Sequence, residues 1–232
     1  MGQKIHPFSF RLGINKDWHA RWLPKKYFKG QLEEDVVIRK VIMEKIAQAG
    51  VVSIDIERGS NNNYRIFIKA ARPGFIIGRG GKGVEDLSKA VEMKLKALLR
   101  TRGEVKPIPF LSLNIEELKR SEVAAAYVAQ SIAWDLEKRL PARRTLKKYL
   151  ELALQNREVQ GIKIRLSGRI DGGEIARREW LAKGKLPLQT LRANIEYGEG
   201  TAFTSYGTVG IKVWLYKGDI FEATKTAKER ER

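Results

Sequence analysis

The glycine cluster Gly78-Arg79-Gly80-Gly81 is the feature that most constrains how this chain can fold. It lies between a short apolar turn, Phe75-Ile76-Ile77, and an amphipathic helix pattern that begins at Val84. Glycines at the start of a helix let a backbone approach a sugar–phosphate strand without Cβ clashes. The helix start adds N–H groups and the positive end of the helix dipole. Five residues therefore form a candidate phosphate-binding turn: Gly78, Arg79, Gly80, Gly81 and Lys82.

The spacing of these glycines allows two other interpretations. Gly78, Gly80 and Gly83 also match G-x-G-x-x-G, the fingerprint of dinucleotide-binding proteins. That fingerprint requires a strand that runs directly into the glycines, whereas Arg72-Pro73-Gly74 and an apolar turn intervene here. A glycine-rich helix start without any ligand is the second alternative. The pattern G-x-x-G is common by chance and also starts at Gly207. Position and context must therefore decide which match, if any, binds a ligand.

The chain carries a large excess of positive charge, with 45 Lys and Arg against 27 Asp and Glu and a net charge of +18. A polyanion would relieve the resulting self-repulsion, and a basic domain is the usual footprint of nucleic-acid binding. No stretch approaches the roughly 20 apolar residues of a spanning helix, so no membrane partner is expected. The lack of cysteine excludes disulfides and thiolate chemistry. These features indicate a soluble intracellular protein.

The hydrophobic pattern around the glycines predicts one α+β domain over residues 31–118. The predicted segments are a helix from about Glu33 to Gly50, strands at 52–57 and 64–70, a helix after the glycines that ends by Gly103, and a strand at 110–115. Glu33-Glu34-Asp35 are interpreted as acids of a helix start and a solvent face. Residues 1–30 are predicted to form a basic N-terminal arm, part of which packs or stacks through Trp18 and Trp22.

A second α/β domain is predicted over residues 119–217, followed by a short polar tail at 218–232. Its pattern gives two helices, separated by Pro141, and three strands in a mostly antiparallel sheet. The helices are expected at 121–140 and 143–156, the strands at 162–167, 191–197 and 208–216, and a short helix or loop at 172–178. Trp134, Trp180 and Trp214 lie in apolar patterns and are expected in the core or at a domain interface.

The helix at 143–156 is expected to present one basic face. At 100° per residue, four cations share a sector of about 140°, and apolar residues share another sector centred about 140° away. The cations are Arg143, Arg144, Lys147 and Lys148, and the apolar residues are Leu146, Tyr149, Leu150 and Ala153. A solvated basic face is the alternative. Because no acid follows until Glu151, the cations would repel one another unless an anion such as an RNA backbone lay opposite.

Motifs along most of the chain resemble the bacterial-type family of small ribosomal subunit protein three. Ala71–Gly81 resembles the type II KH domain of that family, and Gly2–Pro7 with Arg11-Leu12-Gly13 resembles its opening. Its C-terminal domain is matched by Gly161-Ile162-Lys163, Ser167-Gly168-Arg169, Glu174–Arg177, Glu179-Trp180, Leu186-Pro187-Leu188, Thr190–Ala193, Tyr206-Gly207, Gly210–Trp214 and Lys217-Gly218. One departure lies in the turn, where relatives often have two basic residues and this chain has Arg79 and Gly80.

The resemblance implies a structural, RNA-binding constituent of the small (30S) ribosomal subunit, whose type II KH domain has the order α-β-β-α-α-β. It implies binding to 16S rRNA in the subunit head, beside head proteins ten and fourteen. It also implies a contact with mRNA, in the channel through which mRNA enters, by an Arg-Arg-x-x-Lys segment matching Arg143, Arg144 and Lys147. A KH turn grips about four nucleotides of single-stranded backbone. The expected location is the cytoplasmic ribosome, and an organellar source stays open.

No enzymatic activity, cofactor or small-molecule substrate is expected. His6 and His19 are the only histidines in the sequence, and neither has the convergent ligands that a metal site needs. Two alternatives remain. A free KH-type RNA-binding regulator would leave the motifs of the second domain unexplained, and a nucleotide-dependent enzyme would rest on G-x-G-x-x-G alone.

Overall fold

A computed structural model of the protein describes residues 5–23, 27–59, 63–103 and 110–221. The chain forms two compact units. One is Trp18–Lys119, here called the turn unit, and the other combines Met1–Asp17 with Arg120–Arg232, here called the sheet unit. The predicted arm over residues 1–30 is therefore divided between the two units.

The described part of the turn unit contains three α-helices and a four-stranded sheet. Its elements are β1 (Ala20–Arg21), α1 (Phe28–Ile46), β2 (Val51–Arg58), β3 (Asn63–Ala70), α2 (Gly74–Ile77), α3 (Lys82–Thr101) and β4 (Phe110–Glu117). The strands lie in the order β1-β2-β3-β4; β2 and β3 are antiparallel, and the outer pairs are parallel. Apart from the two-residue β1, this confirms the predicted order α-β-β-α-α-β.

The core of the turn unit follows from two periodicities. Alternate residues of β2 and β3 face inward, as Ile54 and Ile66 do, and α1 and α3 contribute residues at three- and four-residue spacing. The most deeply buried large side chains are Ile38, Ile42, Ile56, Ile66, Ile68, Ile76, Val91 and Leu95. The β2–β3 hairpin and the helices α1 and α3 thus form the packed core that positions the glycine turn.

The acids Glu33-Glu34-Asp35 do not mark a helix start or a solvent face, so that prediction is wrong. Helix α1 begins five residues earlier, at Phe28, and Glu34 and Asp35 are only 8% and 3% exposed. The hairpin brings Arg58 over them, with Nη1 2.7 Å from Glu34 Oε2 and Nε 3.2 Å from Asp35 Oδ1. These acids are buried because a cation from another strand neutralises them, which local sequence does not reveal.

The sheet unit packs two helices on a four-stranded antiparallel sheet. Its elements are α4 (Ala125–Glu137), α5 (Ala142–Gln155), β5 (Gly161–Gly168), β6 (Arg177–Gly184), β7 (Ala193–Thr204) and β8 (Gly207–Asp219). The strand order is β6-β5-β8-β7. A Cβ at Gly198 would lie 2.4 Å from the backbone of Ala125, so this glycine allows β7 to approach α4 closely.

Strand β6 was not predicted from the sequence, which indicated a helix or loop at 172–178. The structure has a short 3-10 segment at Ile170–Gly172 and then an edge strand whose residues are mostly exposed, so it lacks the apolar alternation of a half-buried strand. Trp180 lies on this strand and is 60% exposed, so it does not belong to the core of its unit. Strand β8 ends at Asp219, and the predicted tail beyond residue 221 lies outside the described residues.

The N-terminal segment is fixed to the sheet unit by Arg11, which is completely buried. Its guanidinium donates hydrogen bonds to the carbonyl oxygens of Ala193 at 2.8 Å, Leu188 at 2.8 Å and Thr190 at 2.9 Å. Burial lowers the pKa of Arg11 from its ordinary value. Several charge-assisted hydrogen bonds thus hold residues that the sequence suggested were an irregular arm.

Candidate nucleic-acid interface

The glycine turn links α2 to α3 through backbone conformations that favour glycine. Gly78 ends α2 with φ 66° and ψ −174°, and its N–H donates to the carbonyl of Gly74 at 3.0 Å. Gly80 and Gly81 also have positive φ, 63° and 80°. Chirality disfavours such conformations for residues with a Cβ. The glycines are therefore required first of all by the path of the chain.

The outer side of this turn is open. A Cβ at Gly80 or Gly81 would meet nothing within 4 Å. Arg79 and Lys82 are exposed beside them, and no side chain caps the start of α3. An open backbone, two cations and a helix N-terminus lie together, as the sequence predicted, and this arrangement suits a phosphate.

Gly83 serves packing rather than binding. A Cβ there would lie 2.4 Å from the carbonyl oxygen of Ile76, so the first turn of α3 can approach α2 only with glycine at this position. In this unit the strand nearest to the glycines in sequence, β3, ends at Ala70, and α2 intervenes. A dinucleotide-binding fingerprint requires a strand that runs directly into the glycines, and this arrangement is not found here.

Helix α5 has one buried and one basic face. Ala142, Leu146, Leu150 and Ala153 are buried against the unit, whereas Arg143, Arg144, Lys147 and Lys148 are exposed. The N–H of Ala142 donates to Asp171 Oδ1 at 3.0 Å, so a loop from the sheet fixes the start of the helix. The cationic face is held on a rigid element rather than on a flexible segment.

The four cations of α5 are not equivalent. Lys148 Nζ lies 3.2 Å from Asp135 of α4, which compensates part of its charge. Arg143, Arg144 and Lys147 form no ion pair with any residue that the structure describes. Their charges therefore remain available to an external anion, and Lys148 is the weakest candidate of the set.

The remaining candidates occupy other surroundings. His19 Nδ1 lies 2.6 Å from Asp55 Oδ1, and the ring of His6 contacts the ring of Tyr197 edge-on at 4.6 Å. Among the described residues, no group of three or more His, Cys, Asp or Glu is arranged to hold a metal ion. None of the helices in the described part of the chain is long and apolar enough to cross a membrane.

One cationic and aromatic cluster, on the sheet face opposite α4 and α5, was not predicted from the sequence. Lys163 Nζ lies 5.0 Å from the ring centroid of Trp180 and 5.9 Å from that of Trp214. These residues are far apart in sequence and meet through strand pairing. The alternation of Lys163 and Arg165 with the apolar Ile162 and Ile164 was the one available signal.

Comparison with known proteins identifies both parts of the chain. A family described as "KH domain" matches residues 37–123, and one described as "Ribosomal protein S3, C-terminal domain" matches residues 132–215. The fold is accordingly that of an RNA-binding protein of the KH class.

Close relatives share the name small ribosomal subunit protein uS3. That of Pseudothermotoga lettingae is 45% identical over 219 residues, which cover 94% of this chain and 99% of the relative. That of Desulfitobacterium hafniense is 44% identical over 228 residues, 98% of each. That of Solibacter usitatus is 44% identical over 225 residues, which cover 97% of this chain and 61% of a longer relative. The chain belongs to the uS3 family of the small ribosomal subunit, whose members are structural, RNA-binding and not enzymes.

Proposed function

We propose that this protein binds 16S rRNA in the head of the small subunit and that α5 contacts mRNA where it enters. The observation that carries the second part is the exposed set Arg143, Arg144 and Lys147, which has no carboxylate partner among the described residues. Family membership supports the first part. The same resemblance supports head proteins ten and fourteen as neighbours.

The basic face suits a strand that moves. Lys and Arg contacts to phosphates position RNA without reading its sequence, so any message can pass. In the first turn of α5 the helix dipole disfavours cations by about 0.3–1 kcal/mol each. Arg143 and Arg144 thus stand where stability alone would not place them, which supports a functional reason for their presence.

The glycine turn is proposed as the second RNA contact, formed by Gly78, Arg79, Gly80, Gly81 and Lys82. Its open backbone at Gly80 and Gly81 allows a phosphate to reach the N–H groups directly. With Gly80 in place of the second basic residue that relatives often have, Arg79 and Lys82 are the cations of this contact.

The mRNA contact can be tested with reconstituted subunits carrying Arg143→Ala, Arg144→Ala and Lys147→Ala. We expect normal assembly and slower translation through strongly structured messages, with little change on unstructured ones. The control is Arg157→Ala, Lys183→Ala and Lys185→Ala, which removes the same charge from exposed positions outside α5. Equal rates on structured messages for the two triple variants would refute the contact.

The ribosomal location can be tested separately by sedimenting a cell extract at physiological salt. Quantitative co-migration with small subunits is expected. A peak confined to the top of the gradient would instead favour a free RNA-binding regulator. An rRNA footprint that is unchanged by Arg79→Ala and Lys82→Ala would remove the glycine turn from the proposal while leaving the rest intact.

A further inference from the structure

The sheet of the sheet unit has one covered and one partly open face. Along β5, Ile162 and Ile164 are buried in the core formed with α4 and α5, so the alternate residues Lys163 and Arg165 point to the opposite face. The open face is the side of the sheet on which Lys163 lies, and it is built by β6, β5, β8 and β7 in that order.

Strand pairing brings aromatic rings beside the cations on the open face. Arg165 is paired with Trp180 on one side and with Lys212 on the other, while Lys163 is paired with Trp214. Trp214 in turn contacts Tyr197, with ring centroids 5.4 Å apart. Lys163 therefore lies between two indoles, and the ring of Trp180 is mostly exposed.

The charge of this face is largely uncompensated. Lys163, Arg165 and Arg178 form no ion pair with any described residue. Strand pairing places two acids on this face, and each already has a basic partner: Glu199 lies 3.2 Å from Lys212, and Asp219, at the end of β8, lies 3.0 Å from Arg192. Hydrogen bonds from Tyr197 and Lys212 lower the pKa of Glu199, so it stays ionised and neutralises one cation of four.

The N-terminal segment forms a wall beside this face. His6, Pro7 and Arg11 line a cavity of about 480 Å³ together with Lys163, Lys212 and Trp214. Because Arg11 anchors this segment through buried hydrogen bonds, the wall is fixed to the sheet. The cavity has room for a nucleobase or a sugar–phosphate unit beside Lys163, Arg165 and the indole of Trp214.

We propose that the open face is an additional binding site for single-stranded RNA. Phosphates lie at Lys163 and Arg165, and one base stacks on Trp180. Indoles stack on any base and cations track the backbone, which together describe a sequence-tolerant single-strand platform. An acidic protein segment would use the cations but gain little from an exposed indole placed directly beside them. This site is distinct from the glycine turn and from α5.

The test is to titrate the full chain with a short oligoadenylate and follow the indole N–H signal of Trp180 by NMR. Trp180→Phe assigns the signal, and fluorescence anisotropy of the labelled oligonucleotide measures total binding. We expect the signal to shift on binding, and Lys163→Ala to raise the half-saturating concentration about tenfold. The matched control is Lys183→Ala, which removes the same charge from β6 on the opposite side of the sheet and should change nothing.

Trp180→Phe should retain stacking, and Trp180→Ala should weaken the low-salt anisotropy response while the circular dichroism stays unchanged. An indole signal that does not respond while anisotropy shows binding would overturn the open-face site and leave the proposed function standing. An equal response to polyglutamate would also overturn it, in favour of an acidic protein. If neither measurement detects RNA, the open-face site fails, whereas the proposed function is decided separately by the sedimentation and translation experiments.

Discussion

Replacing Arg58 by methionine should destabilise the turn unit more than any exposed charge change. The Arg58 side chain is only 6% exposed. It donates to Glu34 at 2.7 Å, to Asp35, and to the carbonyl of Gln31 at 2.6 Å. Burial lowers the pKa of Arg58, but hydrogen bonds to the two carboxylates outweigh it and raise the pKa. The guanidinium is therefore charged throughout the range in which the protein is folded.

The magnitude follows from what the substitution leaves behind. Among the described residues, Asp35 would retain only the 2.8 Å hydrogen bond from Trp22, and Glu34 would retain those from Tyr64 at 2.8 Å and Arg102 at 3.3 Å. Breaking a buried ion pair from one side costs about 3–5 kcal/mol, because the remaining charge is uncompensated. That is a large fraction of the 5–15 kcal/mol that stabilises a typical protein.

Hydrogen exchange in increasing urea can measure this loss in each unit, through amides of β2 and β3 for the turn unit and of β5 and β8 for the sheet unit. Arg65→Met is the control, because Arg65 is exposed on the neighbouring strand and should change the unfolding free energy by less than about 0.5 kcal/mol. Adding Asp35→Leu and Glu34→Gln to Arg58→Met should recover part of the loss. A loss below about 1 kcal/mol for Arg58→Met would refute the assigned role of this network.

Three further predictions concern backbone, pH and charge. Gly78→Ala should lower the free energy of unfolding by about 2–3 kcal/mol, because φ 66° with ψ −174° is a conformation for glycine and the new Cβ would lie 3.2 Å from Gly83 N. Gly80→Ala places its Cβ in open space and should lower it by about 1 kcal/mol. Equal urea midpoints for the two variants would contradict this difference. Burial raises the pKa of Asp55, but the hydrogen bond from His19, together with the charges of His19, Lys69 and Arg21, outweighs it and holds the pKa below its ordinary value of 3.8. The ionised Asp55 therefore stabilises the fold above that pH, and this stabilisation is lost as the pH falls through the folded pKa. On acidification, the melting temperature of Asp55→Asn should accordingly fall less steeply than that of the unsubstituted protein. Arg143→Ala should leave the stability of the sheet unit unchanged or raise it by up to about 1 kcal/mol at low salt, and a clear loss in the urea midpoint would contradict the dipole argument.

Much of the fold could be predicted because its signals are local. The helices α3 and α5 and the strands β3 and β8 have strong hydrophobic periods, and their predicted and observed ranges nearly coincide. Strand β6 could not be found this way, since an exposed edge strand is held by backbone pairing to β5 and needs no apolar alternation.

The candidate sites that depend on local sequence could likewise be predicted, and those that depend on tertiary contacts could not. The glycine turn is contiguous, and the cations of α5 are separated by one helical turn, so local geometry alone brings each set together. The partner of Lys148 was not predictable, because Asp135 lies on a different helix. The open face was missed because Lys163, Trp180 and Trp214 converge only when three strands pair in register.

The residue pattern alone predicts a nucleic-acid partner, the order α-β-β-turn-α-β, the glycine turn and the basic face of α5. These depend on composition and on periods of two to four residues, which act within one element. Only the tertiary structure decided which charges are free and which are compensated. It buried Glu34 and Asp35 under Arg58, paired Lys148 with Asp135, and left the open face cationic. The physical reason is that an ion pair or a stacked ring depends on distance in space, which chain packing sets and local sequence does not.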